Sequence, residues 1–323
     1  MLRRFALLLV FLSAAAGSAQ ASEPWPPRQI SIVVGFAAGG NTDMAARMLA
    51  TGMKAALPVP VVVENKPGAG GTVGGSAVAR ATPDGSMLLV GSQSETAMLK
   101  ANRAKPPYDI DKDLVPIGKL MDYGFVVTVS RSLNINSWNE FLAYARQKGS
   151  LSYGTPGIGT TAHVMSEHLL SSVGVKGVHV PYQGAASLRP DHIAGRIDFS
   201  IDVVPLILPL LTDGQLRPLA VTQKERDARL PSVPTLMELR VFPEEYSGWT
   251  GVFAPRGTPP EVRSRLLDLI NQTLKGPGGE EIRRNGYRPA ASSQTLHEFA
   301  QFVSADQKRW VGVFQKAGIA PSP

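Results

Sequence analysis

The chain has 323 residues, no cysteine and a formal net charge of +7. This length suits two lobes better than a single core. The lack of cysteine excludes disulfides, thiolate metal sites, a cysteine nucleophile and a lipid-modified cysteine. The positive charges are not gathered into basic runs, so nucleic acid is not an expected partner.

Residues 1–21 have the features of a cleavable secretory signal peptide. Arg3 and Arg4 precede an apolar stretch over residues 5–12, and small residues follow up to Ala19-Gln20-Ala21, an A-x-A cleavage site. The apolar stretch is shorter than the roughly 20 residues that a membrane-spanning helix needs. We therefore predict cleavage near Ala21 and an exported mature chain.

Short apolar runs recur along the chain, each followed by a glycine or proline turn and then by residues with helical spacing. Their weak polar alternation is typical of parallel strands that are buried on both faces. The predicted strands cover residues 30–34, 59–63, 87–90, 125–129, 178–180, 199–204 and 216–221. Alternating strands and helices indicate an α/β fold with largely parallel sheets.

Three helices have clear boundary signals in the sequence. Capping boxes and prolines mark helix starts, and a glycine after the last helical residue marks an end. The signals are Ser137, Glu140 and Gly149 for one helix, Thr295, Glu298 and Gly318 for the C-terminal helix, and Pro259 and Pro260 for a third.

The first predicted strand runs into a glycine-rich turn, residues 35–40, and then into a helix from Asp43. Ligands bind at this edge of an α/β sheet. Gly39 and Gly40 leave no Cβ in the way of a ligand that approaches the backbone. Unpaired N–H groups and the helix dipole at a helix start attract anions. Taken alone, such a turn is equally well explained as a tight connection without a ligand.

Similar turns at residues 154–161 and 67–72 precede predicted helices over residues 162–170 and 73–80. Thr160 or Thr161 can cap the first of these helices. Two or three such turns facing one cleft would hold a dicarboxylate or an amino acid by its ends without a cationic side chain.

Seven stretches, in order along the chain, closely resemble the signature segments of the Bug family of periplasmic solute receptors, which are similar to the TctC component of tripartite tricarboxylate transporters. They are "QISIVVGFAAGGNTDMAARMLA", "VVVENKPGAGGTVGGSAVARATPDGSMLLVG", "PPYDIDKDLVPIG", "LSYGTPGIGTTAH", "VHVPYQGAA", "RLPSVPTLMEL" and "GWTGVFAPRGTP". The resemblance implies a type II periplasmic-binding-protein fold, in which a ligand is closed between two α/β lobes with mixed, mostly parallel sheets. It also implies a periplasmic location, a small carboxylate cargo and a membrane transporter as partner. We expect no cofactor, no metal and a monomer.

Mapped onto this chain, the resemblance implies a first lobe of residues 23–124 and 248–323 and a second lobe of residues 125–247. The crossovers would be residues 123–129 and 247–253. The ligand contacts of the first lobe would be Phe36, Ala37, Gly39, Gly40, Asp43, Ser92 and Gln93. Those of the second lobe would be Thr155, Gly159, Thr160, His163, Gly184, Ala185 and Asp202.

Three of these side chains also have purely structural interpretations. Asp43 fits a first-turn acid that faces the helix dipole, His163 fits a side chain that bonds its own glycine loop, and Asp202 fits a cap of the next helix. His163 and His168 are five residues apart, whereas the zinc helix of metalloproteases places its histidines four apart. This spacing does not favour a metal site.

Two other functions stay open at this point. The first is a receptor that docks on a sensor protein. It would close its two lobes around a ligand just as a receptor that delivers cargo does, so the sequence does not separate the two. An exported hydrolase is less favoured, because the chain lacks G-x-S-x-G, H-E-x-x-H and a P-loop. No arginine lies in the candidate loops, which favours an amino acid, a monocarboxylate or a dicarboxylate over a tricarboxylate.

Overall fold

The computed structural model describes residues 25–321, so the predicted signal peptide lies outside the described residues. The strands are β1 (Ile30–Val34), β2 (Val61–Asn65), β3 (Met87–Ser92), β4 (Leu114–Ser130), β5 (Ser150–Thr155), β6 (Lys176–Pro181), β7 (Phe199–Val203), β8 (Leu216–Val221), β9 (Ser247–Pro255) and β10 (Arg288–Pro289). The α-helices are α1 (Asn41–Ala56), α2 (Thr72–Ala79), α3 (Leu99–Asn102), α4 (Ile110–Asp113), α5 (Trp138–Lys148), α6 (Thr161–Val173), α7 (Ala185–Ile193), α8 (Val204–Thr212), α9 (Pro260–Lys275), α10 (Pro277–Arg284) and α11 (Leu296–Ala317).

The strands form one continuous hydrogen-bonded order, β2-β1-β3-β9-β4-β7-β5-β6, and β8 and β10 also pair with β4. The strands at the two ends of this order are parallel to their neighbours, with β1 between β2 and β3 and with β5 between β6 and β7. The pairs made by β4 and β9 in the middle are antiparallel. This mixed α/β arrangement agrees with the predicted fold class.

The long strand β4 changes partners part-way along its length. Its first part pairs with β9 as far as the partner residues Gly124 and Ser247. From Phe125 onward it pairs with β7 and β8. We call residues 25–124 and 247–321 the first half and residues 125–246 the second half. The lobe boundaries and crossovers implied by the resemblance stay a prediction, and this change of partners is consistent with them.

The core of the first half follows from its apolar runs. All five residues of β1 are buried, and α1 covers the strand with Ala45, Ala46 and Leu49. Trp249 of β9 is buried as well, and its Nε1 donates to Asp306 Oδ2 of α11 at 2.8 Å. The C-terminal helix is thereby tied to the crossing strand.

The predicted helix ends are largely confirmed. Thr295 and Glu298 form both hydrogen bonds of a capping box at the start of α11. Ser137 caps α5 by accepting from the Glu140 N–H, but the Glu140 carboxylate accepts from the Asn136 N–H at 2.7 Å instead of completing the box. Gly149 ends α5 with a φ of 76°, the left-handed conformation that favours glycine.

Several boundaries differ from the prediction. Strand β2 begins and ends two residues later than expected, and α1 begins at Asn41 rather than Asp43 because Gly40 is still extended. The first eleven residues of β4 were not predicted as a strand. Pro116, Gly118 and Gly124 interrupt the apolar pattern there, and the partner strand β9 lies more than 120 residues away in sequence.

Glycines allow β1 and the start of α2 to approach closely. A Cβ atom on Gly35 would lie 2.4 Å from the Gly71 carbonyl oxygen and 2.7 Å from its Cα. A Cβ atom on Gly74 would lie 2.8 Å from the Gly35 Cα. Because these neighbours are backbone atoms, no side-chain rotation can relieve the contact.

We therefore expect Gly35→Ala to lower the free energy of unfolding by about 1–3 kcal/mol through overpacking. Urea unfolding followed by circular dichroism measures the change. The matched control is Gly312→Ala on α11, where an added Cβ would find no atom within 4 Å; there we expect no loss of stability. Equal stability of the two variants would contradict the close approach.

Candidate functional site

A cavity of about 70 Å³ lies between the two halves, and both contribute to its wall. The first half supplies Phe36, Ala37, Ala38, Gly40, Asn41, Thr42, Ser92, Ser94 and Tyr123. The second half supplies Phe125, Pro156, Thr160, Thr161, Ala162, Gly184, Ala185, Ala186, Ile201, Asp202, Val203 and Leu206. The wall contains no lysine, arginine or histidine.

Three helices, α1, α6 and α7, begin at this cavity. Among the described residues that line the cavity, five backbone N–H groups of these first turns have no hydrogen-bond partner; they belong to Asn41, Thr42, Ala162, Ala185 and Ala186. All five residues line the cavity. Since each helix start also carries a partial positive charge, the cavity is suited to an anion even though its wall has no cationic side chain.

Eight of the residues expected to contact a ligand lie together on the cavity wall. They are Phe36, Ala37, Gly40, Ser92, Thr160, Gly184, Ala185 and Asp202. The other six, Gly39, Asp43, Gln93, Thr155, Gly159 and His163, lie outside the lining and bond to the loops behind it.

Asp43 fixes the first glycine turn. Its Oδ2 accepts from the Gly39 N–H and from Arg47 Nε, both at 3.0 Å, and its Oδ1 accepts from Asn65 Nδ2 at 3.0 Å. Burial raises the pKa of Asp43, but these hydrogen bonds outweigh burial and hold the pKa below its usual value. The carboxylate therefore stays ionised and positions the loop rather than lining the cavity.

His163 and Thr155 fix the second glycine turn, as Asp43 fixes the first. The Gly159 N–H donates to His163 Nδ1 at 3.1 Å, and Thr155 Oγ1 lies 2.6 Å from His179 Nε2. The rings of His163 and His179 stack with centroids 4.0 Å apart. Burial lowers the pKa of both histidines, to about 4 for His179. A neutral His163 keeps Nδ1 as an acceptor for the loop N–H.

Gln93 connects the loop after β3 to the crossing strand β9. Its Oε1 accepts from the Trp249 N–H at 2.9 Å, and its Nε2 donates to the Ser247 carbonyl at 3.2 Å. The side chain thus holds the backbone at the junction of the two halves.

Most amides of the second turn are occupied, contrary to expectation. The N–H of Gly157 bonds Thr155 Oγ1, that of Thr160 bonds the Gly157 carbonyl, and that of Thr161 bonds Ser94 Oγ. The unpaired amides of the second half lie instead at Ala162 and at the start of α7.

The third glycine turn does not line this cavity. Residues 67–71 line an adjoining cavity of about 190 Å³, together with residues 156–158 and 181–183. Phe36 and Pro156 belong to both walls.

The two halves touch each other around the cavity. Ser94 Oγ lies 3.1 Å from Thr161 Oγ1, and Asn102 Nδ2 donates to the Gly159 carbonyl at 2.6 Å. Both contacts join the first half to the second turn. The two halves are therefore in direct contact at the edge of the cavity.

Residues 45–319 match the family model described as the tripartite tricarboxylate transporter family receptor. The chain belongs to this family. Protein BugT of Bordetella pertussis (strain Tohama I) is 31% identical over 323 residues, with 98% of each chain covered. The solved structure of the periplasmic binding protein BugD is 31% identical, covers 92% of this chain and 100% of its own, and has a TM-score of 0.87. The structure of R. palustris Rpa4515 with adipate is 33% identical, with the same coverage and a TM-score of 0.85.

These relationships confirm the Bug and TctC resemblance and the periplasmic-binding-protein fold. The protein is a solute receptor of a transporter family and not an enzyme. In the part of the chain that the structure describes, no helix is long and apolar enough to span a membrane.

Behind Ser92 the receptor buries the carboxyl group of Glu95. The Ser92 N–H donates to Glu95 Oε1 at 2.9 Å, and the Ser92 hydroxyl donates to Oε2 at 2.6 Å. Burial raises the pKa of Glu95 to about 7, and the bonds from Ser92 offset only part of this rise. An ionised Glu95 takes the hydroxyl hydrogen of Ser92, whereas a protonated Glu95 can donate to Ser92 and leave that hydrogen to the cavity.

The buried Glu95 predicts a pH dependence of stability. Because its pKa in the folded state is raised from 4.5 to about 7, folding favours the protonated form. The stabilisation is complete below about pH 4.5 and is lost as the pH rises to about 7. Between about pH 4.5 and 8, we expect wild type to lose about 3 kcal/mol more of its free energy of unfolding than Glu95→Gln.

Denaturant unfolding at a series of pH values measures this difference. The exposed Glu225→Gln is the control, and its pH profile should follow that of wild type. Parallel profiles for wild type and Glu95→Gln would contradict the raised pKa.

Proposed function

We propose that this receptor binds a small carboxylate in the cavity between its halves and delivers it to a tripartite tricarboxylate-type membrane transporter. The observation that carries the proposal is the convergence of α1, α6 and α7 on one cavity with five unpaired N–H groups. A carboxylate offers two acceptor oxygens and the charge that helix starts favour.

The number of open donors is sufficient for useful affinity. A hydrogen bond to a charged group contributes about 1.5–3 kcal/mol. Four or five such bonds, offset by the cost of association, reach the roughly −8 kcal/mol of micromolar binding. The adipate in the related Rpa4515 structure supports a carboxylate.

We propose that the cargo contacts are those cavity residues that the sequence predicted, with the helix starts added. They are Phe36, Ala37, Gly40, Asn41, Thr42, Ser92, Thr160, Ala162, Gly184, Ala185, Ala186 and Asp202. Gly39, Asp43, Gln93, Thr155, Gly159 and His163 hold the surrounding loops. The wall has no cationic side chain, which favours a monocarboxylate, a dicarboxylate or an amino acid over a tricarboxylate. We further propose export after cleavage near Ala21 and action as a monomer.

A sensing role is the second candidate. A receptor that docks on a sensor protein would close around its cargo in the same way and would differ only in the surface that its partner recognises. The family relationship to transporter receptors favours delivery.

Gly40→Val tests the position of the site. Gly40 lines the cavity, has a φ of −87° and would place a Cβ no closer than 3.9 Å to its nearest neighbour, the Ala37 carbonyl oxygen. The fold should accept valine at a capping cost of about 1 kcal/mol, while the added methyl groups fill the space of the cargo. We expect binding to fall by at least about 100-fold, since several charge-assisted bonds would be lost.

The measurement is a thermal-shift and calorimetric screen of succinate, adipate, malate, glutamate, aspartate and acetate, with neutral sugars for contrast. A cargo at 100 times its Kd should stabilise wild type by about 2.7 kcal/mol. Gly312→Val on α11 is the control variant and should bind as wild type does. Response to sugars alone, or unchanged binding by Gly40→Val, would overturn the proposal.

Cargo should also draw the two halves together. Without an anion, closure would bury the five open N–H groups unpaired, which is costly. We expect the radius of gyration from small-angle X-ray scattering to decrease when a cargo found in the screen is added. An unchanged radius at saturation would argue against coupled closure.

A further inference from the structure

Asp202 is the only acidic side chain on the described wall of the cavity. It lies near the carboxyl end of β7 between Ile201 and Val203, which also line the cavity, and only 7% of its surface is exposed. It does not cap the next helix: α8 starts after Val203 and has no side-chain cap. The structural interpretation from the sequence therefore does not account for Asp202.

The two oxygens of Asp202 have different surroundings. Oδ2 accepts from Thr128 Oγ1 at 3.0 Å, is adjacent to the Ser200 hydroxyl oxygen and lies 3.8 Å from His192 Nδ1. Oδ1 has no hydrogen-bond partner within residues 25–321. The Thr128 hydroxyl thus fixes the carboxyl group through one oxygen, and the other oxygen is left for a donor from the cavity.

The charge of Asp202 is not balanced by the groups packed around it. Burial lowers the pKa of His192, which favours the neutral ring; Nε2 then donates to the Thr128 carbonyl at 3.2 Å, and Nδ1 accepts from the Ser200 hydroxyl at 3.1 Å. A neutral His192 supplies no positive charge. A buried carboxylate without a cation is costly, and an ammonium group within reach removes that cost.

We propose that Asp202 determines specificity by binding the ammonium group of an amino acid cargo whose carboxylate lies at the starts of α1, α6 and α7. This inference rests on the proposed carboxylate-binding function. A second carboxylate placed near Asp202 would be repelled, because no cation on the wall separates the two charges. The apolar surfaces of Phe125, Val203 and Leu206 then face the remainder of the cargo.

The experiment compares amino acids with their des-amino counterparts. Calorimetry measures the Kd of wild type for leucine and 4-methylpentanoate, valine and 3-methylbutanoate, phenylalanine and 3-phenylpropanoate, and glutamate and glutarate. We expect at least one amino acid to bind about 10-fold or more tightly than its des-amino counterpart. Tighter or equal binding of the des-amino acid in every pair overturns the role of Asp202.

Asp202→Asn is the matched variant, because the amide oxygen can still accept from the Thr128 hydroxyl. We expect it to weaken binding of the amino acid by about 30-fold or more, as for a buried charge pair that loses one partner, and to change binding of the des-amino acid by less than about 3-fold. Asp213→Asn on the exposed end of α8 controls for the change in net charge and should bind as wild type does.

A uniform loss of affinity for both members of a pair would assign Asp202 a structural role and overturn the inference. Should Asp202→Asn fail to fold, the wild-type ratios within each pair still decide. If wild type binds no carboxylate of either kind, the proposed function itself fails. If it binds only the des-amino members, the proposed function stands and the ammonium site does not.

Discussion

The starts of three helices facing one cavity without a cationic side chain are the constraint on which this receptor depends. Peptide N–H groups in the first turn of a helix have no partner inside that helix. When the halves are apart, water satisfies these groups. In the structure the halves touch through the contacts of Ser94 with Thr161 and of Asn102 with Gly159. Where this contact excludes water, the N–H groups need another acceptor. Under the proposed function, closure and capture of an anion are therefore energetically one event.

The charged and polar side chains around the cavity largely serve the backbone. Asp43 holds the first turn, His163 holds the second and Gln93 holds the crossing strand. Because these groups bond to peptide units, they fix where the helices start and how the N–H groups are aimed. Recognition by backbone groups needs such support, since a main-chain donor cannot adjust its position by rotating about side-chain bonds.

The glycine turns, the N-cap of α6 and the fold class could be predicted, because each depends on patterns in the local sequence. The turn after β1, the cap at Thr160 and the αL glycine at Gly149 follow local rules of backbone geometry. The helix start at Asn41 was missed by two residues, and that error hid Asn41 and Thr42, whose amides lie at the cavity.

Other features of the site depend on contacts between residues far apart in sequence. Thr161 loses its free amide to Ser94, 67 residues earlier in the chain. The apolar wall formed by Phe125, Ile201 and Val203 exists because β4 pairs with β7, which no local pattern indicates. The sequence allowed Asp202 to be either a ligand contact or the cap of the next helix. Only the start of α8 shows that Asp202 is not the cap.

The change of partners within β4 has a consequence for exchanging parts between receptors. Gly124 and Ser247 are opposite each other on neighbouring strands, so the entire segment between them enters and leaves through a single narrow junction. Such an insert can be replaced by that of another receptor without lengthening or shortening the connections. Chimeras joined at this junction would take Thr160, Ala185 and Asp202 from one parent and Gly40 and Ser92 from the other.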